Sequence, residues 1–496
     1  MTGTARLPDD RERWVALREA YRHAELTLEQ LWTRFFALGG DADLFELEAH
    51  LEGVLTMPDP QPDVLAVALN ERLDELVRQR RVPMRHVLRG GRPDRGALRA
   101  IVELLEASHR APPERLAALT DAAGAGLGVS IVVHLVDHEQ RRLVALPSGD
   151  GPLREPLRID GTLAGRAYQN LQILPSESGE PRLWVPLEDG RDRLGVLEVV
   201  IPSAADLYDT TLRDQCRWLA LLVGHLVSSI GVYGDALERP RRSRRPTPSA
   251  ELIWQQLPPL TAGTDDFMLA GSLEPAYAMG GDVFDYALSE STVSLAVLDA
   301  MGHGMQAALM AVAALAAYRS ARRDGRGLHD QARAMDEMVA TAFPGSSFVT
   351  GFLAELDLPS GRLRYVAAGH PEPLLLRHRR VVKRLSGGRR LPFGLGDGRL
   401  LVAEEALQPG DWLAVYTDGI TEARDPDGRW FGEERLAELL SRAMAAQQPP
   451  PETVRRLTRD VLAHQQGLLQ DDATVLLASW TASPRPGGSD PPATEE

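Results

Sequence analysis

The stretch G-G-D-V-F-D-Y-A-L-S-E-S-T-V-S-L-A-V-L-D-A-M-G-H-G (280–304) decides how this chain is read. An acidic cluster ending at Asp285 precedes a β-like run that ends on Asp299, and A-M-G-H-G then opens an alanine-rich helix. The segment between the clusters is hairpin-sized, so the carboxylates can converge at one end of a sheet while the glycines keep the backbone low beside them. Such convergence suits a metal site.

Working outward, two more acidic signals close apolar runs: W-L-A-V-Y-T-D-G ends on Asp418 and Gly419, and Gln470, Asp471 and Asp472 stand just before A-T-V-L-L-A-S-W. A carboxylate at a strand end is displayed where a ligand can reach it. Four such acids without a Cys or His pattern favour hard, oxygen-loving cations, Mg²⁺ or Mn²⁺, over zinc. Aspartate beside glycine also makes ordinary turns, a reading that weakens when four cases recur together.

The order G-G-D-V-F-D (280–285), D-A-M-G-H-G (299–304), A-A-G-H-P-E-P-L-L-L (367–376), P-F-G-L-G (392–396), Y-T-D-G-I-T-E-A-R (416–424), F-G-E-E-R-L (431–436) and D-D-A-T-V (471–475) resembles the SpoIIE-type branch of the metal-dependent protein phosphatases, bacterial relatives of protein phosphatase 2C. The resemblance spans roughly residues 249–482. It implies two ions, Mn²⁺ or Mg²⁺, about 3.5 to 4 Å apart, which lower the pKa of bound water toward roughly 7 and clamp phosphate oxygens. It further implies that Asp299 bridges the ions with the Ala300 carbonyl as a further ligand, that Asp418 and Asp471 hold one ion from the far side, and that Asp282 contacts a metal directly or through water. Asp285 is a weaker candidate that braces the loop, and Asp472 stands behind the ligands. His303 or His370 is a candidate general acid. No arginine matches the one that grips phosphate in the eukaryotic relatives.

Bulk composition sets outer limits. A chain of 496 residues is too long for one core and suggests about three domains. With 44% hydrophobic and 25% charged residues it reads as a soluble protein. Asp+Glu 70 against Lys+Arg 55 gives a net charge of −15, which speaks against nucleic acid as a partner of the whole. The lone Cys216, expected in the core of a helix, fits a reducing cytoplasm. Residues 1–13 turn charged at once, so no signal peptide is expected. The uncharged run 300–318 begins beside Asp299 and reads as a buried helix, so no membrane association is expected.

The expected fold class is α/β, of α+β type: a C-terminal two-sheet β-sandwich flanked by helices at 251–482, a GAF-like α/β sensor at 93–236 and a helical segment at 1–92. A basic, Pro-rich linker at 237–250 and a disordered tail at 483–496 complete the division. Apolar residues at helical spacing predict helices over 14–36, 44–55 and 64–77, as a packing appendage or a dimerisation segment. Helices at 97–106 and 113–123, strands at 129–136, 141–146, 182–187 and 193–201, and a closing helix over 206–232 resemble a GAF domain. That likeness implies a small-molecule ligand or a homodimer. His134 and His138 read first as ordinary core or surface histidines. The arginines of R-P-R-R-S-R-R-P-T-P-S-A (239–250) should repel one another and keep an extended, solvated spacer, and the helix in 251–260 should join sensor to phosphatase.

The resemblance points to a cytoplasmic protein serine/threonine phosphatase acting on a phosphorylated anti-sigma-factor antagonist under control of the GAF-like part. Two rivals stand beside it. One is a catalytically silent binding module, disfavoured because every expected ligand is present. The other is a different two-metal phosphoester hydrolase, such as a nuclease, which predicts a basic groove that the acidic balance does not favour.

Overall fold

The computed structural model describes residues 10–58, 61–79, 95–148, 154–274, 277, 278, 280–345, 347–396, 401–467 and 471–481. The expected tail at 483–496 and most of the break at 89–96 lie outside them. The chain divides into two units: Met1–Gly91 with Arg442–Gln448, and Arg92–Ser441 with Pro449–Glu496.

In the first unit, helices Asp10–His23, Leu28–Ala37, Leu44–Leu51 and Gln61–Gln79 bury Leu31, Phe35, Leu47, Leu65 and Leu69. The expected single helix over 14–36 is two. Glu25 takes a left-handed backbone, φ 51°, and Thr27 starts the second helix with a reciprocal cap on Gln30. The pattern T-x-x-Q carried that signal, and an uninterrupted apolar spacing hid it. Asp43 and Glu46 cap the third helix in the same way.

Among the described residues, the second unit contains three six-stranded sheets. The first runs Leu157–Arg158, Arg142–Ala145, Ser130–Val136, Asp192–Val200, Arg182–Asp189, Leu174–Ser176, antiparallel throughout. Helix Thr210–Ile230 lays Cys216, Leu219 and Val223 into a core shared with Val133, Leu135, Leu197 and Val199. Burial pushes the Cys216 thiol up to about 12, so it serves as a small apolar side chain. Residues Thr210–Tyr233 are long and apolar enough to cross a membrane, and one face of that helix supplies this core. The opposite face of the sheet is filled by Ile159, Tyr168, Trp184 and Val196.

The remaining sheets form the sandwich. One has the order Arg389–Arg390, Arg362–Ala368, Val349–Asp357, Thr292–Ala300, Asp282–Leu288, with Ala403–Ala406 also paired to Arg362–Ala368. The other has the order Arg380–Arg384, Leu374–Arg377, Asp411–Tyr416, Ala473–Trp480, Phe267–Glu274, Thr261–Gly263. Their facing sides bury Phe267, Phe284, Leu295, Val297, Phe352, Val415 and Leu476 in one apolar layer. Helix Gly304–Arg323 covers the first sheet from outside. Its buried face is mostly alanine, which lets it approach Val283, Ala296 and Leu298 closely. Strands Leu374–Arg377, Arg380–Arg384 and Ala403–Ala406 were not expected. The last two are largely exposed and carry charged residues, so their apolar pattern is weak.

The basic stretch 239–250 is not a free spacer. Arg241 Nε donates to the Val136 carbonyl at 2.9 Å, Arg242 pairs with Glu251 at 3.0 Å, and the Ser243 N–H donates to the Tyr277 hydroxyl at 2.9 Å. Glu238 and Glu251 offset the mutual repulsion that should have extended it.

A buried ion cluster joins the first sheet's surroundings to helix Pro450–His464, which packs outside the second sandwich sheet. Arg455 donates to Glu452 at 2.7 Å and to Asp160 at 2.6 Å, and Arg459 reaches Asp160 at 3.0 Å. Burial works to raise both acids, but the arginines outweigh it. They hold Glu452 below its ordinary value and Asp160 at about 2. Removing Arg455 would take two charge-assisted hydrogen bonds from buried Glu452 and leave it Arg456 at 2.8 Å and Gln169 at 3.1 Å, so Arg455→Met should cost about 2 kcal/mol in urea unfolding followed by tryptophan fluorescence. The double variant Arg455→Met, Glu452→Leu should recover part of that loss.

Candidate metal centre

Strand alternation decides which acids meet. In Thr292–Ala300, Val293, Leu295 and Val297 face the layer between the sheets, so Asp299 continues that face at the strand's end. In Asp282–Leu288, Phe284 faces the same layer and Asp282 lies with it, directly opposite Asp299 in the antiparallel register. Two like charges therefore stand across from one another at the end of the sandwich. Asp285 has the other parity. It points toward helix Gly304–Arg323, where Arg319 and Arg322 each approach it at 2.7 Å, and so belongs to the packing of that helix.

The second sheet brings its acids to the same end. The Thr417 N–H donates to the Thr474 carbonyl at 3.0 Å, and the Thr417 hydroxyl both receives the Thr474 N–H at 3.0 Å and donates to Asp282 at 2.7 Å. Thr417 thus ties the two sheets together one residue before Asp418. Asp418 opens the single turn Asp418–Thr421, and both it and Asp471 reach solvent. Asp472 turns inward. One carboxylate oxygen accepts the N–H groups of Gly280, Gly281 and Asp282 at 2.8, 2.6 and 3.3 Å, which suits its expected place behind the ligands.

The glycines here serve close approach. A Cβ on Gly280 would lie 2.3 Å from the Gly304 nitrogen, on Gly281 2.7 Å from the Ala300 carbonyl oxygen, and on Gly419 1.9 Å from the Asp472 carbonyl oxygen. Only bare backbone lets the loops bearing Asp282, Ala300, Asp418 and Asp472 pack together.

The electrostatics follow from this crowding. Burial first, then Asp418, Asp471 and Asp472, push Asp299 up to about 7, against which the Thr350 hydroxyl donates at 3.4 Å. Burial, then Asp299 and Asp472, hold Asp282 well above the ordinary carboxylate range. Burial, Asp471 and Glu422 raise Asp418. A divalent cation would offset all of these at once, and a donor set of carboxylates with a backbone carbonyl fits Mg²⁺ or Mn²⁺. Among the described residues, no three Asp, Glu, His or Cys side chains already close around one point. The acids line an open end that leaves room for water and substrate oxygens as further ligands.

The candidate histidines part ways. His303 is exposed at the start of its helix and caps nothing. His370 is buried, and burial, opposed by a backbone contact at Tyr416, pushes it down to about 3, so it is neutral at working pH and cannot serve as an imidazolium acid. Thr417 and Thr350 were missed. Their signal was a hydroxyl at a strand end in the same strand or register as an acid, too common a pattern to single out.

Residues 289–481 match the family model described as Stage II sporulation protein E (SpoIIE), a span that holds Asp299, Asp418 and Asp471 and begins after Asp282. Protein IcfG of Synechocystis sp. is 24% identical over 239 residues, covering 42% of this chain and 37% of the relative. Phosphoserine phosphatase RsbU of Bacillus subtilis is 24% identical over 204 residues, covering 41% of this chain and 60% of the relative. The crystal structure of the RsbU and RsbW domains of Rv1364c from Mycobacterium tuberculosis is 30% identical, covers 44% of this chain and 60% of that one, and superposes with a TM-score of 0.38. The chain thus spans less than two thirds of the length of these relatives. Residues 289–481 thus match a SpoIIE-type domain, and this chain is also similar to a named phosphoserine phosphatase.

Proposed function

We propose that this chain is a Mn²⁺- or Mg²⁺-dependent protein serine/threonine phosphatase. The observation that carries this reading is the gathering of Asp282, Asp299, Asp418 and Asp471 at one end of the sandwich, where the charge on Asp299 is opposed by three neighbouring acids. Asp299 and the Ala300 carbonyl, with Asp282, would hold ions from one sheet, and Asp418 and Asp471 from the other. The ions would supply a nucleophilic water near neutral pH and compensate phosphate charge. The Thr417 hydroxyl fixes the Asp282 carboxylate, and Asp472 fixes the loop that carries it. The substrate class we favour is a phosphoserine or phosphothreonine protein, of the anti-sigma-factor antagonist kind. Its support is the likeness to RsbU, named a phosphoserine phosphatase.

We further propose that the GAF-like part, with a small-molecule ligand or none, sets the activity in the cytoplasm. Its support is the Asp160–Arg455 contact, which reaches the helix preceding Asp471.

Phosphate release from p-nitrophenyl phosphate should require Mn²⁺ and fall at least about 100-fold in Asp418→Asn, the scale of losing a charged catalytic element. Equal release by both proteins would sink the assignment. Without metal, Asp299→Asn should melt no lower than wild type because repulsion is relieved, and Mn²⁺ should no longer raise its melting temperature. Between pH 6 and 8 the kcat profile of His370→Gln should keep its shape, since that imidazole carries no charge there. A profile shifted by more than about half a unit would restore His370 as the acid. Asp160→Asn should change turnover without changing the Mn²⁺ concentration for half-activity. An identical turnover would remove this contact from the regulatory path.

A further inference from the structure

The segment after Asp418 forms a hairpin with a firm base. The Glu422 N–H donates to the Asp418 carbonyl at 2.7 Å, Phe431 to Ala423 at 2.7 Å, and Gly432 to Thr421 at 2.9 Å. Its tip is closed by Arg429, whose backbone N–H and Nε reach the Asp425 carboxylate at 2.9 and 3.0 Å. Ala423 and Phe431 are buried, so alternation sends their neighbours Arg424 and Trp430 outward, bridged to each other. Trp430 remains 56% exposed with the Arg424 guanidinium 5.7 Å from its ring centre. A rigid hairpin that begins at a candidate metal ligand and holds an indole and a cation in water is a poor solution for stability alone.

The other flank of the acid cluster is also apolar. Met301 follows Ala300 directly and Met305 stands in the first turn of helix Gly304–Arg323, and they are 45% and 43% exposed. Leu391 and Leu395 flank Phe393, which bridges Val349, the register partner of Ala300, and both are exposed. Met301, Met305, Leu391, Leu395 and Trp430 are five of the nine exposed large hydrophobics among the described residues of the sandwich region, and each stands near in sequence or register to Asp299 or Asp418. Apolar surface gathered around a charged mouth marks a docking site for a macromolecule.

We infer that this rim docks a phosphoprotein segment bearing apolar side chains on both sides of its phosphorylated serine or threonine, with Trp430 taking one, the two methionines the other, and Arg424 facing the phosphate. The inference rests on the phosphatase reading and deepens it. Charge complementarity selects the occupant: the ions that the acids would hold offset the carboxylates inside the mouth, and Arg424, held in place by the indole, adds a cation that suits a phosphate dianion. A small phosphomonoester would have no use for the apolar flanks. Arg424 and Trp430 are therefore specificity-determining residues, set outside the acid cluster.

The test uses the full-length chain with Mn²⁺ and three probes: p-nitrophenyl phosphate, a phosphoserine peptide flanked by leucines, and the same peptide flanked by serines. Wild type should prefer the leucine-flanked peptide. In Trp430→Ala and Arg424→Gln, the ratio of kcat/KM for that peptide to kcat/KM for p-nitrophenyl phosphate should fall about tenfold, carried by KM, as for loss of an interface anchor. Arg424→Lys should recover part of it. An unchanged ratio, or a wild type indifferent to the flanking residue, overturns the inference while leaving the phosphatase reading in place. If wild type releases phosphate from none of the probes, the phosphatase reading fails and the docking surface fails with it.

Discussion

Asp282 and Asp299 face each other across two neighbouring strands at one end of a sandwich, and much of the surrounding structure manages that repulsion. An antiparallel pair gains nothing from like charges placed opposite each other, and burial makes each harder to ionise. The fold answers with donors rather than with cations. Thr417 donates to one carboxylate and Thr350 to the other, while Asp472 spends its own charge on three backbone N–H groups of the Asp282 loop. Burial and the neighbouring acids lead the effects on both Asp282 and Asp299. A fold that wanted only stability would have placed arginine there, as it does three residues away.

That neighbouring case is Asp285. It shares a strand and a residue type with Asp282, yet Arg319 and Arg322 neutralise it from helix Gly304–Arg323, and Arg319 also donates to the Gln256 carbonyl. The difference is strand parity alone: one residue type, turned to opposite faces, becomes a helix anchor on one side and an uncompensated acid on the other. The contrast separates aspartates that hold the fold together from aspartates that the fold must hold in place.

Parity went unread, since Asp282 and Asp285 stand in one acidic cluster, whereas the strand ends at Asp299, Asp418 and Asp471 were legible because apolar runs and glycines mark them. What lay beyond reach was anything depending on two distant segments at once. The glycines at 280 and 281 signal a backbone that stays low beside the acids, but no local pattern names Ala300 and Gly304 as what they approach. Thr417 and Asp282 are far apart in the chain, and Asp160 and Arg455 farther still, so no local pattern announces either bond. The arginines at 239–245 were read from their own charges, and the carboxylates that offset them, Glu238 and Glu251, stand just outside the stretch. The helix break before Thr27 is the opposite case, a local signal present and overridden by periodicity.

The ion cluster around Arg455 constrains how a signal could travel. Asp160 is held at about 2, so its pairing with Arg455 and Arg459 stands at any pH above the ordinary carboxylate range and is lost only as pH falls toward 2. Protonation under physiological conditions therefore cannot break the contact. Glu452, also held below its ordinary value, is buried with Arg455 and turned toward Arg193, whose guanidinium lies 4.7 Å from the Tyr168 ring on the filled face of the first sheet. A change on that face would have to move Tyr168 or Asp160 bodily, and with them helix Pro450–His464. Because that helix packs against the strand whose N-terminal end carries Asp471 and Asp472, displacement would reach those two acids as a shift in position.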